Sequence, residues 1–154
     1  MAYETILYER KGQIVYITLN RPDILNACND TMGNELMDAM KRFDQDEAAG
    51  VAILSGNGRA FCSGADVKQR QLSPREELAR KGGPAGVVPV TGLLGLGQTV
   101  NWKPVIAAVH GYVMGAGYFL AMGCDLIVAA EQTKFQITEV RRGVAVGWAN
   151  AWFC

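Results

Sequence analysis

The chain has 154 residues, of which 49% are hydrophobic, and a formal net charge of zero at pH 7. This length and apolar content predict one globular domain, residues 1–154. Because the composition has no basic excess, it gives no indication of nucleic acid as a partner. The N-terminus has no apolar signal core and no apolar run approaches the length of a membrane span, so we expect no membrane association.

Four cysteines bear on the cellular compartment and on metal binding. They are Cys28, Cys62, Cys124 and Cys154, and they form neither a CxxC motif nor the paired spacing of a metal site. Cysteines without a disulfide pattern are typical of a reducing compartment. We therefore expect a cytoplasmic protein with reduced thiols and no metal centre.

The N-terminal part of the chain predicts a β-hairpin. Residues 5–8 and 13–20 have strand patterns, and the polar stretch 9–12 between them predicts the turn. Apolar residues alternate with Tyr16 and Thr18 in the second strand. We therefore expect this strand to have one buried face and one half-covered face.

A helix and a buried strand are predicted next. Asn29 or Asp30 can cap the helix. Its apolar residues recur at helical spacing, and they are Met32, Leu36, Met37, Met40 and Phe43. The apolar run 51–55 then predicts a strand, followed by a glycine turn at 56–58.

Two segments in the middle of the chain differ sharply in character. Residues 59–68, RAFCSGADVK, place small residues and a glycine directly after the predicted strand, and Asp66 can cap a helix that follows. Residues 69–97 mix charges, prolines and glycines without a clean period, which predicts a long mobile loop with a short helical patch. A helix is predicted to resume at 90–101, although its glycines weaken the pattern.

Residues 103–125 combine a buried strand, a glycine-rich turn and the start of a helix. The strand is predicted at 105–109 because its residues are apolar and rich in β-branched types. Three glycines between 111 and 117 allow the backbone to turn sharply and to approach a ligand closely. The helix is predicted to open at 118–122, and N–H groups at a helix start can face a negatively charged oxygen.

A dinucleotide-binding turn is the first alternative for this stretch, because it too begins with a strand, G-x-G and a helix. The third small residue of that fingerprint would fall at Leu120, which is too large. The next acidic residue after the helix also lies too close along the chain. The alternative therefore fits poorly.

The end of the chain adds two more strands. The pattern predicts a buried strand at 125–129, a short strand at 134–136, and a turn or helix start at 138–142. Alternating strands and helices predict an α/β fold with a parallel sheet. Because residues 152–154 are apolar, we interpret the chain as a fragment cut within its core and expect it to self-associate when made alone.

The chain contains two glycine turns, FCSGADV and HGYVMGAG, preceded by VYITLNRPDILNA and followed by TKFQITEV. Together these stretches resemble the crotonase (enoyl-CoA hydratase/isomerase) family over nearly the whole chain. The resemblance implies a crotonase-like spiral of ββα turns, incomplete at the C-terminus. It also implies an acyl-CoA thioester as substrate, no cofactor apart from the coenzyme A of that substrate, and a homo-oligomer, a trimer or hexamer, for the full-length protein.

The resemblance further implies roles for named residues. In the family, one backbone N–H from each glycine turn holds the thioester carbonyl, and by position these belong to Ala65 and Ala116. The alternative is that the two turns serve packing alone. The residues implied to bind substrate are Ile24, Leu25, Ala27, Ser63, Gly64, Asp66, Val67, Lys68, Met114, Gly115 and Phe119. The segment 24–27 is implied to contribute backbone to the adenine pocket of coenzyme A, and a plain strand-to-helix loop is an equal alternative. Lys68 could meet a phosphate of coenzyme A, and an ordinary solvated lysine is an equal alternative.

Hydratases of the family use two glutamates, and this chain matches only one of them. Phe119 stands at the first position and Glu139 at the second. One carboxylate suffices to move a proton between two carbons, as the family's isomerases do. Glu139 could instead interact with helix-start N–H groups or pair with Arg141 or Arg142. We interpret His110 as structural, since no nucleophile lies at a recognisable spacing.

The sequence therefore predicts an acyl-CoA enzyme that isomerises, hydrates or dehydrates an unsaturated acyl chain. The resemblance implies that Glu139 is its proton-transfer group and that Ala65 and Ala116 are its oxyanion donors. A decarboxylase or thioester hydrolase of the same family is one alternative, and a non-catalytic fragment that binds CoA esters is another. We expect the 154-residue chain, made alone, to turn over acyl-CoA poorly.

Overall fold

The computed structural model describes residues 2–71, 74–80 and 102–142. The strands in this part of the chain are β1 Ile6–Lys11, β2 Ile14–Leu19, β3 Val51–Gly56, β4 Val105–Val109, β5 Tyr112–Met114, β6 Leu126–Ala129 and β7 Lys134–Gln136. The helices there are α1 Asp30–Gln45, α2 Val67–Gln71, α3 Arg75–Arg80 and α4 Ala116–Met122, with short 3-10 turns at Pro22–Ile24 and Val140–Arg142. These strands form a five-stranded sheet in the order β1-β2-β3-β4-β6 and a separate pair of β5 with β7.

Parallel pairing dominates the larger sheet, as predicted. Strands β1 and β2 form an antiparallel hairpin, whereas the β2–β3, β3–β4 and β4–β6 pairs are parallel. Parallel neighbours require crossover connections, and α1 lies in the connection between β2 and β3. The predicted α/β class with a mainly parallel sheet is therefore confirmed, and α1 follows β2 as predicted.

The turn of the hairpin is shorter than the sequence predicts. The predicted turn at 9–12 is wrong, because residues 9–11 continue β1 and pair with β2 as far as Lys11 opposite Ile14. The chain reverses at Gly12 and Gln13, and Gly12 adopts a φ of 61°. The charged residues at the end of β1 resemble a loop in composition. The prediction failed because an edge strand can also expose such side chains to water.

Helix α1 packs against the hairpin strands and forms the core with them. Asn29 caps the helix, since its side-chain oxygen accepts a hydrogen bond from Met32 N at 2.9 Å. The predicted apolar stripe is confirmed, with Met37 half-buried and the other four residues buried. The core also contains the inward-facing residues of the sheet, which include Val15, Ile17, Leu19, Ala52, Leu54, Val105, Ala107 and Val109. Removal of this apolar surface from water is the main contribution to stability.

Strand β6 departs from the prediction of a buried strand at 125–129. It pairs with β4, but the side chains of Leu126 and Val128 are 61% and 64% exposed. In the described part of the chain, β6 has one neighbour and lies at the edge of the sheet. Apolar residues predict burial only where another layer covers them, so the prediction of burial here is wrong.

The stretch after β4 contains a strand that the sequence analysis missed. Residues 112–114 are β5, which pairs in parallel with β7. Helix α4 begins at Ala116, two residues earlier than predicted. Three residues are too few for a period to be detected, so the sequence between the glycines does not indicate β5.

The segment predicted as a long loop at 69–97 is mostly helical in its described parts, 69–71 and 74–80. Helix α2 already begins at Val67, and α3 corresponds to the predicted short helical patch. The helix predicted at 90–101 and the apolar end at 152–154 lie outside the described residues. Within residues 2–71, 74–80 and 102–142, no helix is long and apolar enough to cross a membrane.

The carboxylate of Glu35 on α1 fixes the start of the chain. Its Oε1 accepts a hydrogen bond from Glu4 N at 2.6 Å, and its Oε2 accepts from Thr5 N at 2.8 Å and from the Thr5 hydroxyl. Burial alone would raise the pKa of Glu35, but these hydrogen bonds and one from the Ile6 backbone lower it below the ordinary value. The ionised form therefore stabilises the fold.

Replacing Glu35 by glutamine should lower the free energy of unfolding at pH 7 by about 1.5–3 kcal/mol, the usual range for hydrogen bonds to a charged group. Because the native pKa lies below that of the unfolded chain, about 4.3, the stabilisation is complete above that value and disappears as the pH falls through the native pKa. Urea unfolding at pH 7 and at pH 3 measures this difference. Glu47→Gln at an exposed position is the control; an equal loss at both pH values would contradict the expectation.

Candidate active site

The first glycine turn is fixed on one side by Cys28. Cys28 N donates to Gly64 O at 2.8 Å, and Asp66 N donates to Cys28 O at 2.9 Å. In this parallel bridge, the N–H and C=O of the intervening Ala65 point away from Cys28. Within the described part of the chain, Ala65 N–H donates no hydrogen bond. The turn thus presents one open amide.

The opposite side of this turn faces β5. Cys62 N donates to Tyr112 O at 3.1 Å, and Met114 N donates to Cys62 O at 3.0 Å. Because the Gly64 carbonyl points to Cys28, the trans Gly64–Ala65 peptide group directs the Ala65 N–H to the opposite side of the segment, away from Cys28. Beyond Met114, β5 runs into the second glycine turn.

The second glycine turn connects β5 to α4 and presents another open amide. Gly115 has φ 48° and ψ −120°, and its N–H donates to Gln136 O at 2.9 Å. Ala116 is the first residue of α4, so its N–H has no partner inside the helix. Among the described residues it donates to no other group either.

The two turns approach each other closely because glycines line the contact. A Cβ on Gly64 would lie 3.2 Å from Met114 O and 3.7 Å from Ala116 N. A Cβ on Gly117 would lie 2.5 Å from Cys62 O. Only residues without a side chain allow two backbones to approach this closely. The open amides of the two turns therefore belong to one compact region.

Glu139 lies beside the second turn. A Cβ on Gly115 would lie 2.8 Å from Glu139 Oε1 and 2.8 Å from Thr138 Oγ1. Glu139 Oε2 is buried and has no hydrogen-bond partner in the described part of the chain. Buried polar oxygens are nearly always hydrogen-bonded in folded proteins, so an orphaned carboxylate oxygen beside the second turn indicates a place for a ligand.

Two of the predicted alternatives for Glu139, helix-start N–H groups and Arg141, receive no support from its contacts among the described residues. No ion pair to Glu139 occurs among the described residues. The guanidinium of Arg141 lies 3.3 Å from the side-chain amide of Gln136, which can accept from it. The side chain of Arg142 lies outside the described residues.

Phe119 lies on the first turn of α4, three residues after Ala116. Its N–H donates to Gly115 O at 3.2 Å, and its ring meets that of Tyr118 edge-on with centroids 5.6 Å apart. The side chain is buried. An apolar ring thus occupies the position at which the family resemblance implies a second glutamate.

The segments implied to bind coenzyme A lie side by side. Ser63 N donates to Leu25 O at 2.9 Å, and Ser63 Oγ lies 3.4 Å from Ile24 O. This contact joins 24–27 to 63–68 and leaves both segments partly open to solvent. The exposed residues are Ile24, Val67 and Lys68, and the half-buried ones are Leu25, Ala27, Ser63, Ala65 and Asp66. The individual substrate contacts of these residues stay predictions.

Asp66 caps α2, as predicted, and also bonds a residue that the sequence analysis missed. Its Oδ1 accepts from Lys68 N at 3.1 Å, and its Oδ2 forms an ion pair with Arg21 Nη1 at 3.0 Å. Arg21 belongs to the stretch quoted for the family resemblance, but nothing local in the sequence indicates a partner 45 positions away.

Asn26 is the second missed residue. It is fully buried with a positive φ of 54°, a conformation that asparagine tolerates better than most residues. Its Oδ1 accepts from Arg21 N at 2.8 Å, and its Nδ2 donates to Asn57 O at 2.8 Å and to Ala60 O at 2.9 Å. Asn26 thereby fixes the loop after β2 against the turn after β3. An asparagine in a short loop between two predicted elements is the only signal that the sequence contains for this role.

The histidine and the cysteines lie outside the proposed chemistry. His110 Nε2 is 2.8 Å from Gly58 O, which supports a structural role. Burial raises the pKa of the Cys62 thiol to about 11, with weaker opposing hydrogen bonds from Gly64 and Cys28. Cys28, Cys62 and Cys124 form no disulfide among the described residues. No group of three or more His, Cys, Asp or Glu residues within the described ranges could hold a metal ion.

Comparisons with known proteins agree on one family. A sequence profile described as enoyl-CoA hydratase/isomerase matches residues 9–154. A probable enoyl-CoA hydratase of Rhizobium meliloti is 42% identical over 98% of this chain and 56% of the relative. A probable enoyl-CoA hydratase of Mycobacterium tuberculosis is 40% identical over 98% of this chain and 56% of the relative.

Solved structures lead to the same family. The crystal structure of enoyl-CoA hydratase from Mycobacterium tuberculosis H37Rv matches with a TM-score of 0.77 and 41% identity, over 93% of this chain and 52% of the solved one. The structure of enoyl-CoA hydratase EchA1 from Mycobacterium marinum matches with a TM-score of 0.78 and 39% identity, over 93% and 52%. The chain therefore spans about half the length of the relatives it matches.

Proposed function

The chain belongs to the enoyl-CoA hydratase/isomerase family, and from that premise we propose that the protein acts on an unsaturated acyl-CoA. The N–H groups of Ala65 and Ala116 hold the thioester oxygen, and Glu139 transfers a proton. The observation that carries the proposal is the buried, unpartnered Oε2 of Glu139 beside Gly115, where Ala116 begins α4.

In the isomerisation that we propose, Glu139 removes a proton from the α-carbon of a 3-enoyl-CoA. The electron pair of that C–H bond delocalises into the thioester carbonyl, and the double bond becomes conjugated in a dienolate. Two amide donors aimed at that oxygen favour the dienolate over the substrate, because their hydrogen bonds strengthen as negative charge develops. Glu139 then returns the same proton to the γ-carbon and gives the 2-enoyl-CoA without any other reactant.

Hydration of a 2-enoyl-CoA uses the same oxyanion donors but makes a further demand. A water must lose a proton while it attacks the β-carbon, and the α-carbon must then gain one. Two carboxylates divide this work more easily than one does, and the position implied for the second carboxylate carries Phe119. The apolar ring therefore favours isomerisation over hydration in our proposal.

The proposed chemistry requires no metal, because the charge on the thioester oxygen is met by two amides. Coenzyme A enters as part of the substrate. We also propose a cytoplasmic protein that forms a trimer or hexamer in its full-length form. Relatives include enzymes named as mitochondrial and as peroxisomal, so cell fractionation is needed to establish the compartment.

The choice between isomerase and hydratase can be tested with Phe119→Glu. We expect the full-length protein to convert 3-enoyl-CoA esters faster than it hydrates 2-enoyl-CoA esters. The variant should raise the ratio of hydratase to isomerase activity by about tenfold or more, since one positioned acid or base usually contributes at least that much. Steady-state assays on a short panel of both ester types measure the ratio.

Phe119→Leu is the matched control, because it keeps the position apolar and should leave the ratio unchanged. Faster hydration than isomerisation by the unmodified protein would contradict the isomerase assignment. Release of carbon dioxide from a carboxylated acyl-CoA, or of free coenzyme A from a saturated one, would point instead to the family's decarboxylases or thioester hydrolases. Binding without any turnover would identify a CoA-ester-binding protein.

A further inference from the structure

We propose that Arg21 is a positioning residue that fixes the direction of the Ala65 N–H through its ion pair with Asp66. The inference rests on the proposed function, since it assigns the ion pair to the alignment of one oxyanion donor. Asp66 then serves the site through its neighbour Ala65, and both of its carboxylate oxygens are bound within the protein.

Arg21 bonds both segments of the bridge that carries Ala65. Its Nη1 donates to Ala27 O at 2.5 Å and to Asp66 Oδ2 at 3.0 Å. Ala27 directly precedes Cys28, and Asp66 directly follows Ala65. The guanidinium therefore crosses from one segment to the other next to the two backbone hydrogen bonds of the bridge. We call these contacts of Arg21 with Ala27 and Asp66 the Arg21 clamp.

The direction of the Ala65 N–H depends on that bridge. In a trans peptide group, the carbonyl and the N–H point in opposite directions within one rigid plane. The peptide group between Gly64 and Ala65 has its oxygen bonded to Cys28 N at 2.8 Å and its N–H open. Any rotation of the Gly64–Ala65 peptide plane that turns its oxygen away from Cys28 N therefore turns the open N–H by the same angle.

The bridge lies outside the named strands. Among the described residues, one further backbone hydrogen bond, from Ser63 N to Leu25 O at 2.9 Å, joins the same two segments, so the bridge lacks the regular ladder of a strand pair. The Arg21 clamp supplies a charge-assisted contact in its place. The side chains of Arg21 and Asp66 are only 22% and 13% exposed, so solvent screens their attraction less than it does that of a surface ion pair.

The clamp is itself held in place by Asn26. Arg21 N donates to Asn26 Oδ1 at 2.8 Å, and Asn26 N donates to Arg21 O at 2.9 Å. Since Asn26 is fully buried, the backbone of Arg21 is anchored to the interior. The guanidinium thus connects a fixed backbone to the residue that follows Ala65, which is the arrangement needed to hold a donor in one direction.

The test measures the polarisation of a bound thioester directly. The probe is a cinnamoyl-CoA ester with an electron-donating ring substituent, whose absorbance moves to longer wavelength when its carbonyl accepts hydrogen bonds. In the full-length protein, Arg21→Met should remove at least half of this shift. The same variant should lower kcat by about tenfold, a part of what loss of a whole oxyanion donor costs, while KM changes by less than about twofold.

Three further variants separate positioning from stability. Asp66→Asn breaks the ion pair but keeps a side chain that can cap Lys68 N, so it should reproduce the effect of Arg21→Met. Arg21→Lys retains a cationic donor and should restore most of the shift. Arg10→Met removes the ion pair of Arg10 with Asp46 at 3.1 Å, away from both glycine turns, and should leave the shift unchanged.

The outcomes distinguish this inference from the proposed function. Absence of any shift in the unmodified protein with bound probe would contradict the oxyanion pair itself. A full shift in both Arg21→Met and Asp66→Asn, with lower thermal stability alone, would show that the clamp is merely structural and overturn the inference. If Arg21→Met does not fold, Asp66→Asn and Arg21→Lys still decide the question.

Discussion

Glu139→Gln in the full-length protein should lower the turnover of an unsaturated acyl-CoA by about a hundredfold or more, the usual contribution of a general acid or base. Glutamine has nearly the shape of glutamate and can still fill the space beside Gly115, but its amide cannot accept and return a proton. The dissociation constant of the CoA ester should stay within about threefold, because little contact area is lost. Steady-state kinetics and calorimetric titration measure the two quantities.

Glu131→Gln is the matched control for this prediction. Glu131 is exposed on the turn after β6, so its replacement should change neither turnover nor binding. Unchanged turnover in Glu139→Gln would assign proton transfer to another residue. An equal loss of binding and turnover would mean that Glu139 only shapes the pocket.

Gly115→Ala should abolish most activity by displacing the same carboxylate. The new Cβ would lie 2.8 Å from Glu139 Oε1 and from Thr138 Oγ1, closer than real Cβ contacts allow. The φ of 48° with ψ of −120° adds backbone strain of about 1–3 kcal/mol. Because a displacement of about 1 Å can cost a hundredfold in rate, we expect at least that loss in kcat.

Gly12→Ala separates strain from collision. Gly12 also has a positive φ, 61°, but a Cβ there would meet nothing within 4 Å. This control should lose about 1 kcal/mol of stability and no activity in the full-length protein. Thermal melts should therefore show a loss of stability in both variants, whereas only Gly115→Ala should lose turnover. Full activity of Gly115→Ala would show that Glu139 can move without consequence and would contradict the proposed site.

Patterns within one element predicted much of the fold. The alternation in β2, the helical spacing in α1 and the apolar runs of β3 and β4 each lie in a continuous stretch, and all four elements are confirmed. The two glycine turns led to the correct family for the same reason, because each motif is local in the sequence.

The errors arise where the decisive contact is distant in the sequence. The ion pair of Arg21 with Asp66 joins residues 45 positions apart, and the hydrogen bonds of Asn26 reach Asn57 and Ala60. Strand β5 is defined by its pairing with β7 rather than by its own three residues. The burial predicted for β6 failed because burial depends on what lies next to a strand as much as on the strand itself.

The two open amides also differ from ordinary free N–H groups in their electronic state. The carbonyl of the Gly64–Ala65 peptide group accepts from Cys28 N at 2.8 Å, and that of the Gly115–Ala116 group accepts from Tyr118 N at 2.9 Å and Phe119 N at 3.2 Å. A hydrogen bond to a peptide oxygen draws electron density from its nitrogen and makes its N–H a stronger donor, by about 10–30% per bond. Both amides are therefore polarised through their own carbonyls before any thioester arrives.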